Sequence, residues 1–132
     1  MYLLDTNVVI RYLNGRSPRV IQRWNQTAPA NLFLCSIVKS ELFHGAYKST
    51  YVLENLRTLG ELFPTLASVG FTDECAPIYG QLIAQLEKSG RVIGPLDLQI
   101  AAIALANNLT LITANTSEFG RIPGLRLENW EV

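Results

Sequence analysis

The sequence predicts an α/β fold: three layers, α/β/α, around a mainly parallel sheet of about five strands. Two observations carry that expectation. Short apolar, β-rich runs alternate with longer segments of helical periodicity along the whole chain. In addition, the first run, Tyr2-Leu3-Leu4, reads as a buried strand, as one covered by helices on both faces is.

The elements follow in order. Tyr2-Leu3-Leu4 is a short buried strand ending at Asp5, and a helix runs from Thr6 to Leu13 until Asn14-Gly15 closes it. Ser17-Pro18 caps and opens a second helix to about Asn25. Leu32 to Cys35 is the next strand. Ser36 is expected to cap the helix that carries Ile37, Val38, Glu41, Leu42 and Tyr47. A further helix covers about Tyr51 to Leu62 and is stopped by Pro64. Leu66 to Phe71 reads as the third strand, and Thr72 starts a long helix that reaches Lys88 and ends at Ser89-Gly90. Pro95 opens an almost wholly apolar helix, Leu96 to Ala106, terminated by Asn107-Asn108. Leu109 to Thr113 is the fourth strand and Leu125 to Leu127 a short fifth. No repeat, linker or low-complexity tract interrupts this order, so residues 1–132 are expected to form a single domain.

Composition narrows the function classes. Hydrophobic residues make up 48% of the chain, enough for a sizeable core. No apolar run approaches the roughly 20 residues that span a bilayer, so no membrane partner is expected. The opening segment lacks a basic region followed by a small-residue cleavage site, which makes the cytoplasm the expected compartment. Cys35 and Cys75 stand in unlike contexts and read as buried small hydrophobes under reducing conditions. With His44 the only histidine, a zinc site is hard to assemble, and so is a histidine acid–base pair. Net charge is zero, which argues against bulk polyanion binding. Yet residues 1–57 hold seven bases against three acids, and residues 58–132 four bases against eight acids. Such a division is either ordinary solvated charge or a basic rim beside an acidic pocket.

The acids fall where parallel sheets place chemistry, outside the carboxyl ends of the strands. Asp5 ends the first strand; taken alone it could simply cap the following helix. Glu41 lies beside an apolar helical face, from which such an acid often just reaches solvent. Asp97 is the sharpest signal. It shares a helical face with Ile100, Ala101, Ala104 and Leu105, which turns it inward, where a carboxylate needs compensation from helix N–H groups or from a cation. Thr113-Ala114-Asn115-Thr116-Ser117-Glu118 follows the fourth strand and has the composition of a turn. Carboxylates gathered from such distant parts of the chain suit Mg²⁺ or Mn²⁺, which bind hard oxygens and substrate phosphates.

These motifs resemble a family. Asp5-Thr6-Asn7 resembles the opening of PIN-domain nucleases. Ser36, then Glu41-Leu42, Gly45-Ala46 and Lys48-Ser49, resemble the second motif of VapC-type toxins. Ile93 to Asp97 with Ile100-Ala101-Ala102 is similar to their third acidic motif, and Thr113, Asn115 and Glu118-Phe119 to their fourth. The tail from Ile122 to Trp130 is similar to their common ending. Many relatives carry aspartate two residues after the threonine; here that position is Asn115, which leaves Glu118 to supply the carboxylate directly or through a water.

The resemblance implies a metal-dependent endoribonuclease acting as the toxin of a toxin–antitoxin pair. It implies a homodimer and a VapB-like antitoxin whose tail occupies the active-site groove. Asp5, Glu41 and Asp97 would hold the cation, with Glu118 as a further catalytic acid. Thr6, Asn7, Ser36, Thr113 and Asn115 would orient these acids or meet the RNA. The rival reading is a PIN scaffold that binds RNA or protein without cutting. An aspartyl phosphatase would want an acid where Asn7 stands, and no Walker-type phosphate loop is present.

Overall fold

The computed structural model describes all of residues 1–132. Five parallel strands form the sheet: β1 (Tyr2–Leu4), β2 (Leu32–Cys35), β3 (Ala67–Val69), β4 (Thr110–Ile112) and β5 (Leu127–Glu128), in the order β3-β2-β1-β4-β5. Seven helices connect them: α1 (Thr6–Asn14), α2 (Pro18–Gln26), α3 (Ser36–Lys48), α4 (Val52–Leu62), α5 (Cys75–Ser89), α6 (Pro95–Ala106) and α7 (Thr116–Phe119). The central strand β1 pairs with β2 on one side (Leu3 opposite Phe33) and with β4 on the other (Leu3 opposite Leu111). The chain leaves β1 toward β2 and β3, then crosses back past β1 to β4. Right-handed crossovers in opposite directions place α1 to α4 on one face and α5 to α7 on the other. The packing follows suit: α1 meets α2 and α3, α3 meets α4, and α5 meets α6.

Strand order reverses between β1 and β4, so the crevice at their carboxyl ends is the switch point at which doubly wound sheets bind ligands. Both strands reach it through a fully apolar core, in which Leu3, Leu4, Leu111 and Ile112 are completely buried. The α6 helix is buried almost all round, from Leu98 to Ala104, and so holds its first turn rigidly against the crevice. No helix is long and apolar enough to cross a membrane.

Several boundaries differ from the sequence expectation. Cys35, not Ser36, occupies the position before α3; Ser36 is its first helical residue, is exposed, and caps nothing. The long helix starts at Cys75 rather than Thr72, because residues 72–74 form a turn in which Cys75 N–H donates to Thr72 O. The third strand is Ala67–Val69 and the fifth Leu127–Glu128, since a strand lasts only where a neighbour pairs with it. The expected turn after β4 contains a short helix, α7.

Candidate active site

Asp5 is the floor of the crevice. Its backbone N–H continues the sheet by donating to Ile112 O (3.0 Å), which locks it beside the end of β4. One carboxylate oxygen accepts from Thr6 N–H (2.8 Å) and the other from the Thr113 hydroxyl (2.8 Å). Asp5 is buried and Thr113 completely so. Burial pushes the Asp5 carboxyl above its ordinary pKa; the Thr113 and Thr6 hydrogen bonds oppose that shift, and the nearby negative charge of Glu118 adds to it. Each oxygen has a single protein donor, so each keeps accepting capacity directed at the crevice.

Glu41 comes from α3, one helix over, and accepts the Thr6 hydroxyl (2.9 Å). Thr6 therefore binds both acids at once, Asp5 through its amide and Glu41 through its hydroxyl. Glu118 lies on α7, which begins after Asn115; the Asn115 side-chain amide donates to Glu118 (3.3 Å) and its N–H to the Thr113 hydroxyl (3.0 Å). Thr113 is thus the hinge between Asp5 and the α7 turn.

Asp97 lies in the first turn of α6, half-buried, and makes no capping hydrogen bond; Gly94 is the residue at the cap. Helix N-termini ordinarily lower a carboxyl pKa. Here the pKa is pushed up to about 7, by burial first and then by the negative charges of Asp5 and Glu118, with Glu41 adding a smaller push. Four carboxylates from four separated segments therefore share one crevice. Their field also reaches the buried thiol of Cys35, which burial chiefly, with Asp5 and Glu41, raises to about 11.

The remaining sequence candidates fall differently. Asn7 is exposed and Ser36 faces solvent beside Gly70; neither bonds to a carboxylate. The Asn115 amide is turned to Glu118, so its part is to hold that acid. Two of the N-terminal bases are neutralised far along the chain, Arg11 by Glu131 (2.6 Å) and Arg23 by Glu128 (2.9 Å). The charge division of the sequence is to that extent internal pairing. A groove of about 470 Å³ opens from the crevice between α1, α3 and α4, with Glu41 at its polar end and Ile10, Leu13, Leu42 and Leu59 along its walls.

The donor set suits a hard divalent cation, since carboxylate and hydroxyl oxygens are its preferred ligands. No three of these side chains close into a finished metal cage in the protein alone. The negative charges of Asp5, Glu118 and Glu41 help to raise the Asp97 carboxyl, so positive charge placed among them is stabilising.

Comparison with known proteins agrees with this geometry. A family model described as the PIN domain matches residues 2–125. The chain is 36% identical over 129 residues to Ribonuclease VapC2 of Haemophilus influenzae, covering 98% of this chain and 97% of that protein. It is 33% identical over 129 residues to the tRNA(fMet)-specific endonuclease VapC of Shigella flexneri, with the same coverage of both. The crystal structure of VapBC2 from Rickettsia felis, bound to a DNA fragment from its promoter, superposes with a TM-score of 0.91 at 37% identity over 98% of each chain. With acids at the switch point of a five-stranded parallel sheet and a match along nearly its whole length, the chain belongs to the PIN-domain family, in its VapC-type branch.

Proposed function

We propose that this protein is a divalent-metal-dependent endoribonuclease, the toxin of a toxin–antitoxin pair. The observation that carries the reading is the convergence of Asp5, Glu41, Asp97 and Glu118, from four separated segments, on the crevice where strand order reverses. Structural caps have no reason to converge in that way; ligands of a cation do.

In this reading Asp5, Glu41 and Asp97 hold Mg²⁺ or Mn²⁺, with Glu118 as a further acid at the pocket's edge. A cation bound there supplies a water of lowered pKa and offsets charge on the phosphate. The protein's own part is positioning. Thr113 and Thr6 fix the two Asp5 oxygens, Thr6 also fixes Glu41, and Asn115 holds Glu118, so that a phosphodiester entering the crevice meets a set of aimed oxygens. In the hydrolysis, a water oxygen bonds to phosphorus while the bond from phosphorus to one ribose oxygen breaks, and that oxygen leaves with a proton.

The named activity of the Shigella relative makes transfer RNA the first substrate to test. A VapB-like antitoxin is the partner, and the apolar groove beside Glu41 is suited to receive an extended or helical antitoxin segment. Homodimerisation and a cytosolic location complete the proposal; light scattering at micromolar concentration yielding a monomer mass would remove the first.

Incubating the purified chain with total tRNA in Mg²⁺, Mn²⁺ or EDTA tests the activity. Cleavage is expected with either cation, none in EDTA, and none with Asp97→Asn at unchanged circular dichroism. Tight RNA binding without cleavage under every cation would instead establish a non-cutting scaffold.

A further inference from the structure

A second polar cavity, of about 460 Å³, lies outside the carboxylate crevice and is lined by Gln85, Leu86, Ser89, Arg91, Arg121 and Pro123. Its two arginines are exposed, and neither takes part in an ion pair with a carboxylate. Their placement is built into the fold. Gly90, in the left-handed region (φ 70°), closes α5 so that Arg91 N–H donates to Leu86 O (2.9 Å), which fixes the backbone that carries Arg91 into the lining of the cavity. Arg121 leaves α7 with its N–H donating to Glu118 O (3.1 Å), and its guanidinium reaches Val92 O (3.4 Å). The segments 91–97 and 118–121 are tied together where the Arg121 guanidinium meets Val92 O.

We infer that the Arg91–Arg121 cavity is an anion subsite that holds a phosphate of the RNA backbone a few nucleotides from the one cleaved. The inference rests on the ribonuclease reading and deepens it. Arg121 follows Glu118 by only three residues, at most about 11 Å of chain even when extended, so the cavity borders the crevice. An acidic crevice repels the polyanion it must cut, and substrate has to be held by positive charge at the margin. Two guanidiniums can grip phosphate oxygens bidentately, and Ser89 and Gln85 add neutral donors to the same cavity. One donor of Arg121 is used on Val92 O, which steadies the group and leaves the others free.

The competing role for these arginines is purely local: Arg91 offsetting the negative end of α5, and Arg121 tying down the loop at Val92. The experiment separates the two. Arg91→Gln, Arg121→Gln, the double variant and Arg121→Lys are compared with wild type in two measurements. The first is anisotropy of fluorescein-labelled tRNA between 50 and 300 mM KCl in Ca²⁺; the second is steady-state cleavage in Mn²⁺. A phosphate subsite predicts a Kd and KM about tenfold higher for each glutamine variant at nearly unchanged kcat. It also predicts a salt slope reduced by about 0.7 for each arginine lost, and partial recovery with lysine. Variants that melt lower yet bind tRNA with wild-type affinity and salt slope would overturn it. If the wild type cuts no RNA, the ribonuclease reading fails by itself, and the anisotropy series still decides whether these arginines hold a polyanion.

Discussion

Asp97 stands where a helix should make a carboxyl more acidic, and it is made less so. The consequence has a sign that can be measured. A carboxyl whose folded pKa of about 7 lies above its ordinary 3.8 binds its proton more tightly when folded. In EDTA its contribution to stability is complete below about pH 4 and is lost as pH rises through 7; Asp5, also raised, adds a loss of the same sign. Wild-type melting temperature in EDTA should therefore fall between pH 5 and pH 8, and Asp97→Asn, which does not titrate, should fall less and melt at or above wild type at pH 8. Saturating Mn²⁺ should reverse that order, because wild type gains about 2.7 kcal/mol at a hundred times Kd while the variant has lost a ligand. A helix cap predicts something else: a variant less stable by the same margin, about 0.5–2 kcal/mol, with and without metal. Four melting curves at pH 8 distinguish them.

At the scale of elements, the α7 helix links the two candidates for the fourth acidic position, Asn115 and Glu118. Asn115 precedes it and Glu118 is its third residue, the spacing of a capping box, here with the amide of Asn115 gripping the acid rather than the backbone. That spacing was visible in the sequence but was outweighed by turn-forming composition, and α7 went unseen there. Asn115→Asp would replace an amide donor with a charge beside Glu118. Its melting temperature in EDTA should drop below wild type, and its Mn²⁺ affinity by calorimetry should rise; unchanged affinity would leave residue 115 a support for Glu118 and no ligand. Legibility elsewhere followed the strength of the local signal. Gly94-Pro95 and Asn107-Asn108 delimit α6 within a residue, and Ser17-Pro18 opens α2 with Ser17 accepting from Val20 N–H (3.3 Å). The first two strands end where the sequence puts them; the ends of β3, β4 and β5 differ because pairing partners, which no local pattern reveals, set them. Ser36 is no cap because α3 starts at Ser36 itself, directly after β2 ends at Cys35, and leaves no residue between strand and helix. Asp5 and Asp97 stand out by position, after a strand and in a first turn, whereas Glu41, in the second turn of α3, is singled out only by the family resemblance. The supports of these acids were only partly legible: the double use of Thr6 and the link through Thr113 are long-range contacts, and the Arg91–Arg121 cavity had no motif to announce it.

For the whole molecule, the site is a concave acidic centre with an apolar groove leading away from it. An antitoxin that silences it by direct occupation should present a basic residue to Asp5, Glu41 and Asp97, and arginine suits best because its fork can bond two carboxylates together. Replacing each basic residue of the antitoxin's carboxyl-terminal segment with alanine should reveal one whose loss restores tRNA cleavage by the complex. If every such complex stays silent, the antitoxin works by covering the groove alone. The hydrogen bond between Thr113 and Asp5 has a further consequence in time. It joins residues 108 positions apart, and β1 cannot be paired on both sides until β4 exists. At about 5–20 residues per second, a ribosome needs roughly 5–20 s to travel from one to the other. For that interval the emerging chain carries Asp5 but no assembled crevice. The long-range contact thus acts as a delay line: the acids of the crevice come together only once nearly the whole chain has been made.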